Sequence, residues 1–416
     1  MLRSSINRRG FLLRAAAFTT VAGTAVARAN PTAPSATVTM GVIGCGGRTK
    51  QMLPVFLNQP GTRMLAVCDA VRERRERAKA TVDTFNGNTD CTAYRDFRDL
   101  LARTDIDALY IATGDRWHAR LAICSMQAGK DVYCEKPISL SIHEGEAVVK
   151  AAARYHRVYQ GGVQRRTVGN FMTAMSLVKS GRLGRIHTLH AGMAAGMGRS
   201  ATNHFLPEEK MPPVDEIDWD MWLGPAPWRP YNNAYLKHWG GEYDYHGDLT
   251  EWGSHTLDLC QMALNREHTT PVRYKPIDDT TVHAWYADGI QVVMRQKGFR
   301  NSCAVRFEGD EGWVETDDSG DIQVSSPTLL DTRAIQSESW MRPVAHPAEF
   351  IACVRSRQTP TAPADALHIT HVACHAATIA YHLKRELTFD PAALAFVNDA
   401  EANRLIHRSN RAPWSI

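Results

Sequence analysis

Glu251, His255 and Asp258 stand at spacings of four and three within HGDLTEWGSHTLDL (residues 246–259), an otherwise apolar run with a helical pattern. Residues i, i+4 and i+7 share one face of a helix, so the imidazole and the two carboxylates are neighbours along it. Such a set can ligate a metal, perform acid/base chemistry, or be the satisfied polar groups of a packed helix. Metal ligation would draw in His246 and Asp248, but the run lacks an H-E-x-x-H pattern, and no metal is expected. Acid/base work suits the set better. An imidazole exchanges protons near neutral pH, and Glu251 and Asp258 are both within helical reach to orient it.

A proton acceptor needs a reaction partner, and the N-terminal third of the chain offers one. From Thr37 it reads TVTMGVIGCGGRTKQMLPVFL, a β-branched strand, a glycine turn and a helical pattern. Gly44, Gly46 and Gly47 let the backbone turn and approach a pyrophosphate, while the helix that follows, beginning near Arg48, presents its amides and dipole to the anion. Thr49 occupies the third fingerprint position, where glycine or alanine is usual. The next strand, RMLAVCD, ends in Asp69, 25 positions after Gly44, where this arrangement places an acid for the ribose hydroxyls of NAD. Arg72, Arg74 and Arg75 keep NADP open.

Further strands and helices alternate: DALYIATG, RWHARLAICSMQAG, DVYCEKP and SIHEGEAVVKAAARYH. Alternating βα units imply a parallel sheet with ligands at the carboxyl ends of its strands. Thr113, Asp115 and His118 follow one such strand, and Glu135 and Lys136 the next, so both groups are expected to face one crevice. Arg48, Thr113, His118, Glu135 and Gln164 complete the expected dinucleotide contacts.

Length and composition fit this plan. The 416 residues suggest two domains, and 44% hydrophobic with 22% charged residues marks a soluble globular protein. The net charge of +4 is concentrated at the start: residues 1–29 hold five arginines and no acid, and without them 43 basic residues face 44 acidic ones. That balance gives no electrostatic case for nucleic acid or an anionic membrane. Arg8 and Arg9, the uncharged run Ala15 to Ala27 and a final ARA read as a twin-arginine export signal ending at Ala29. A periplasmic or secreted protein that folds before export is expected. Nine cysteines without C-x-x-C spacing read as small buried hydrophobes rather than a disulfide framework.

GDRWHARLAICSMQAGKDVYCEKPISLS (114–141), YQGGVQRR (159–166), LVKSGRLGRI (177–186), DWDMWLGPAPWRPY (218–231) and the closing APWSI together resemble the glucose-fructose oxidoreductase and inositol dehydrogenase family, Gfo/Idh/MocA. The resemblance implies an α/β protein: a Rossmann dinucleotide-binding domain over 37–158, then a larger domain over 159–416 on an open, mostly antiparallel sheet used for substrate binding and homo-oligomerisation. It carries Lys136 over as the catalytic or hydroxyl-positioning lysine and His255 as its acid/base partner. Glu251 replaces the family's usual aspartate, HGD stands where a glycine run is common, and TGDRWH where a Thr-Pro start is usual.

Taking hydride from a secondary alcohol requires a base, a stabiliser for the developing alkoxide and a nicotinamide against the carbon. His255, Lys136 and NAD, or NADP, fill those roles. The expected function is therefore a sugar or glycoside oxidoreductase whose retained cofactor is reset in each cycle, since a protein outside the cytoplasm meets little free nicotinamide. Some members of the broad family instead cleave glycosides by transient oxidation, elimination, hydration and reduction; Glu251 would supply the extra acid or base. A non-catalytic, cofactor-stabilised binding protein is a third class, opposed by the intact Lys136 and His255.

Arg165, Tyr245, His246 and Asp258 are the expected substrate contacts. Arg166 is a further candidate, and Trp239, Tyr243 and Tyr245 suit a sugar face as well as they suit interface packing. His368, His371, His375 and His382 recur at helical spacings, but scatter around the helix and read as packing.

Overall fold

The computed structural model describes residues 37–193, 198, 202–297, 299–300, 302–330 and 341–416. The export signal read at 1–29 lies outside the described residues.

Apolar runs of the first domain form strands whose central members are covered on both faces, as a parallel sheet between helices requires. These are β1 (Val38–Ile43), β2 (Thr62–Cys68), β3 (Thr92–Tyr94), β4 (Ala108–Ile111), β5 (Asp131–Cys134) and β6 (Tyr159–Gly161). All neighbours are parallel, in the order β3-β2-β1-β4-β5-β6. The order reverses between β1 and β4, which opens a crevice at their carboxyl ends. The sixth strand lies just beyond the expected boundary at residue 158. Local signals stop and start the helices as the residue types dictate. Ser141 accepts a hydrogen bond from the Glu144 amide (3.2 Å), and the Glu144 carboxylate accepts one from the Leu140 amide (2.8 Å), fixing the start of the Ile142–Tyr155 helix immediately after the EKP turn.

The second sheet is open and mostly antiparallel. It comprises β7 (Ile186–Gly192), β8 (Arg273–Asp278), β9 (Thr281–Trp285), β10 (Gln291–Arg295), β11 (Val305–Gly309), β12 (Gly312–Thr316), β13 (Ile322–Val324), β14 (Leu387–Asp390) and β15 (Ala395–Phe396). Their order is β13-β12-β11-β7-β10-β9-β8-β14-β15, and only the central β7–β10 pair is parallel. Alternating residues such as Leu189, Val292 and Phe307 point to a core shared with the Thr250–Ala263 and Ala364–Leu383 helices. Sequence and space part company near the C-terminus: Phe350, Ile351 and Val354 complete the core of the first domain. No described helix is long and apolar enough to cross a membrane.

Candidate active site

At the end of β1, Gly44 adopts φ +89°, and a Cβ there would lie 2.6 Å from the carbonyl of Ala112. Only glycine fits. A Cβ on Gly46 or Gly47 would meet nothing within 4 Å, which leaves open space before the Gly47–Leu57 helix for a pyrophosphate. The departure at Thr49 has a structural use: its buried hydroxyl donates to the Gly44 carbonyl at 2.5 Å and pins the turn. Asp69 accepts hydrogen bonds from the amides of Cys45 (2.7 Å) and Val71 (2.8 Å), and burial raises its pKa. Gly44, Gly46, Gly47, Asp69 and Thr113 line a crevice of about 480 Å³. Its shape and donors fit a dinucleotide. Gly46→Val should fold normally, given the empty space, yet fill the pyrophosphate cradle. The expected result is roughly tenfold or more loss of bound dinucleotide, the scale of one lost charge-assisted contact, with an unchanged melting temperature of cofactor-free protein; unchanged retention would remove this loop from the site.

A second cavity of about 340 Å³ adjoins the crevice and shares Arg48, Ala112, Thr113 and Trp239 with it. Lys136, from the end of β5, and His255, from the second-domain helix, both line this cleft. The Lys136 Nζ donates to the Glu251 carbonyl at 2.9 Å, which anchors the lysine to the helix that carries the histidine. His255 is 2% exposed and its Nδ1 has no hydrogen-bond partner. Burial pushes its pKa well below the usual value, and the positive charges of Arg165, Lys136 and Arg48 push it further. Both effects favour the neutral imidazole at neutral pH. Thr113 Oγ1 and Gln164 Oε1 are likewise buried without partners, and buried polar atoms of this kind await a polar ligand. Glu135 organises the wall between the cavities, accepting from Arg48 Nε (2.9 Å), the Tyr110 hydroxyl (3.2 Å) and Gln164 Nε2 (3.2 Å).

Residues 38–163 match the family model for the Gfo/Idh/MocA oxidoreductases' NAD-binding Rossmann fold, and residues 172–416 match that for their C-terminal alpha/beta domain. The chain belongs to the Gfo/Idh/MocA oxidoreductase family. NAD(P) is accordingly the cofactor of its first domain. The chain is 37% identical over 125 residues to a glycosyl hydrolase family 109 protein of Saccharopolyspora erythraea, covering 29% of this chain and 27% of that protein. It is 28% identical over 195 residues to an inositol 2-dehydrogenase of Salmonella typhimurium, covering 45% and 54%. The matches thus span a quarter to a half of these relatives. Among solved structures, an aldose-aldose oxidoreductase from Caulobacter crescentus aligns with a TM-score of 0.59 and 18% identity over 85% of this chain and 100% of that one. A myo-inositol 2-dehydrogenase from Lactobacillus plantarum aligns with a TM-score of 0.62 and 18% identity over the same shares. These likenesses show the fold.

Within this Gfo/Idh/MocA frame, several side chains fall elsewhere than the sequence suggested. Asp258 is not a substrate contact: it is fully buried in a forked ion pair with Arg166 (2.7 and 2.6 Å), with the Thr370 hydroxyl donating at 3.3 Å, and so it does not orient His255. Tyr245 is not one either. It is fully buried among Trp222, Tyr235 and the guanidinium of Arg229, inside an aromatic cluster. His118 borders the cleft, but its Nδ1 lies 2.7 Å from the Pro137 carbonyl and its Nε2 3.2 Å from the Thr113 carbonyl, which makes it a strut between two strand-end loops.

Arg165 lines the cleft while its Nε (3.0 Å) and Nη2 (2.8 Å) fork onto Asp318. Glu251 lies against His246, with 3.3 Å between Oε2 and Nε2; the Asp248 amide donates to His246 Nδ1 (3.0 Å), so a neutral ring carries its proton on the nitrogen facing Glu251. Of the aromatics, Trp239 borders both cavities, whereas Tyr243 packs against Arg408. His368, His371 and His375 are buried, and His382 pairs with Asp248. Of the arginines expected near the ribose, Arg74 lines the crevice, while Arg72 and Arg75 turn to Asp215. Arg77 and Arg95 also line it; Arg77 was legible as the residue nearly one turn after Arg74, and Arg95 left no local signal. Among the described residues, no group of three or more His, Cys, Asp or Glu is placed to hold a metal.

Proposed function

We propose that this protein oxidises a secondary hydroxyl of a sugar or glycoside and retains its cofactor, preferably NAD, through a redox-neutral cycle. The observation that carries the reading is His255, held neutral and with Nδ1 unpartnered, beside Lys136 in a cleft that adjoins the dinucleotide crevice. Bound NAD(P) supplies the hydride acceptor and donor. His255 takes the hydroxyl proton, and Lys136, fixed by the Glu251 carbonyl, stabilises the developing charge on the oxygen. Trp239 offers an apolar face to the ring, and Asp69 favours the free ribose diol of NAD.

Retention is supported by a strap that runs along the first domain and continues into the crevice wall. Residues 215–218 lie along the first domain, with the Arg72 amide donating to the Glu216 carbonyl (2.8 Å), the Asp218 amide to the Ala70 carbonyl (3.0 Å) and a bridge between Val71 and Ile217. The same segment continues into Met221, Trp222, Leu236, Lys237 and Trp239 of the crevice wall. A cofactor beneath it exchanges slowly, which suits the export proposed from residues 1–29. Self-association through the open second sheet belongs to the same proposal. The test is mass spectrometry of small molecules released from purified protein by denaturation. Stoichiometric NAD(H) is expected, and cofactor-free protein would overturn the retained-cofactor cycle.

The Glu251–His246 pair favours a second reading, glycoside cleavage, because it adds an acid/base couple to the same cleft. In Glu251→Asp the carboxylate withdraws by ~1 Å, enough to impair proton transfer at a leaving group. The oxidoreductase reading expects dismutation of a sugar pair to persist in Glu251→Asp within about tenfold and no aglycone release from nitrophenyl glycosides. Aglycone release by the native protein that disappears in Glu251→Asp would reverse the choice.

A further inference from the structure

Arg116 is one of the most deeply buried cations in the molecule. It is 4% exposed, its Nε donates to the carbonyls of Leu223 (3.0 Å) and Trp222 (3.1 Å), and its Nη2 also donates to the Trp222 carbonyl. The guanidinium lies 4.1 Å from the centre of the Trp222 ring and 4.7 Å from that of Tyr245. None of these hydrogen bonds reaches a carboxylate, and Nη1 has no acceptor at all. Backbone dipoles and ring faces offset part of the cost of burying a charge, but an ion without a counter-ion remains expensive.

Its position suggests what completes the set. Arg116 lines the dinucleotide crevice together with Gly44, Gly46, Gly47 and Thr113. Room for it comes from Gly114: a Cβ at that position would lie 2.5 Å from Arg116 Nη1 and 3.3 Å from Cζ. Glycine at 114 and arginine at 116 therefore form one device, a small residue that vacates a slot and a guanidinium that fills it. Burial draws the arginine pKa down to about 10, which still leaves it cationic at neutral pH.

We propose that Arg116 is a phosphate-binding residue of the crevice, with the diphosphate bridge of the dinucleotide as its ligand and Gly114 as the residue that admits it. The proposal rests on the NAD(P) crevice described above, and a guanidinium suits a diphosphate because its planar donors match phosphate oxygens. It also places the counter-charge on the loop that holds the strap, so ligand and strap meet at one side chain.

The test compares Arg116→Met, Arg116→Lys and Gly114→Ala for dinucleotide carried through purification and for affinity toward NAD+, NADP+ and ADP-ribose by calorimetry. Arg116→Met should weaken all three ligands by roughly tenfold or more, because all contain the diphosphate. Arg116→Lys should recover much of that loss by restoring the charge, and Gly114→Ala should resemble Arg116→Met because its Cβ displaces the guanidinium. Loss confined to NADP+ would assign Arg116 to the 2′-phosphate and overturn the diphosphate proposal. Equal loss in Arg116→Met and Arg116→Lys would make the residue a strap anchor, and unchanged affinity in Arg116→Met would remove it from the crevice. If Arg116→Met fails to fold, Gly114→Ala and Arg116→Lys decide the matter. Failure of every ligand to bind native protein would instead count against the crevice itself.

Discussion

Lys136→Met and His255→Ala should each keep the dinucleotide bound and slow its reduction by sugar by ~10² or more, the usual scale for losing a positioned acid or base. The separation of binding from chemistry follows from position, since both residues line the smaller cleft and neither lines the main dinucleotide crevice. Rapid-mixing absorbance of the reduced nicotinamide measures the rate, and mass spectrometry of released cofactor measures occupancy. The pH profile adds a signature. Burial lowers the His255 pKa, so the neutral ring persists below pH 6.5 and the acid limb of native kcat/KM should fall below that value. That limb should vanish in His255→Ala. Native-like reduction in either variant ends its catalytic assignment.

Asp258→Ala should act on stability rather than on substrate binding, by about 3 kcal/mol or more, because it strands a buried guanidinium. Arg166 and Asp258 each have 1% of their side-chain surface exposed, and the forked pair joins the loop after β6 to the second-domain helix. Glu267 also reaches Arg166 at 2.7 Å and is partly exposed, so it compensates only in part. Urea unfolding should show a lower midpoint with an unchanged slope. Replacing both partners by apolar residues, as in Arg166→Met with Asp258→Leu, should recover much of the loss. A raised KM with native stability would instead return Asp258 to the substrate site.

The contrast between Asp258 and Gly44 explains what was legible in the sequence. A turn at positive φ beside a backbone carbonyl leaves a mark in residue type, so the strand, glycines, helix and Asp69 could be read in order. Helical spacing reports an angle around an axis but no depth along it. Asp258 shares its face with Glu251 but lies roughly 10 Å farther along, at 1.5 Å per residue. There the helix has passed the cleft and entered the core. Partners distant in sequence were equally hidden: Asp318, which holds Arg165, is 153 residues away, and Trp222, which covers Arg116, is 106 away. Tyr245 carried the right chemistry for a sugar face, and only the convergence of Trp222, Tyr235 and Arg229 removed it from the cleft. Lys136 and His255 were readable because short strand-end and helix motifs carry them, although their meeting across two domains is a tertiary fact.

The second-domain residues of the crevice wall set an order of events during synthesis. The six strands of the first sheet end at residue 161, whereas the second-domain residues that line the crevice begin more than fifty positions later. Chains fold from the N-terminal end as they emerge from the ribosome. The glycine turn and Asp69 are made before these wall residues, but the core beneath them closes only with Phe350, Ile351 and Val354, which emerge later still. For the retained-cofactor cycle proposed above, loading would then accompany completion of the chain, once for each polypeptide.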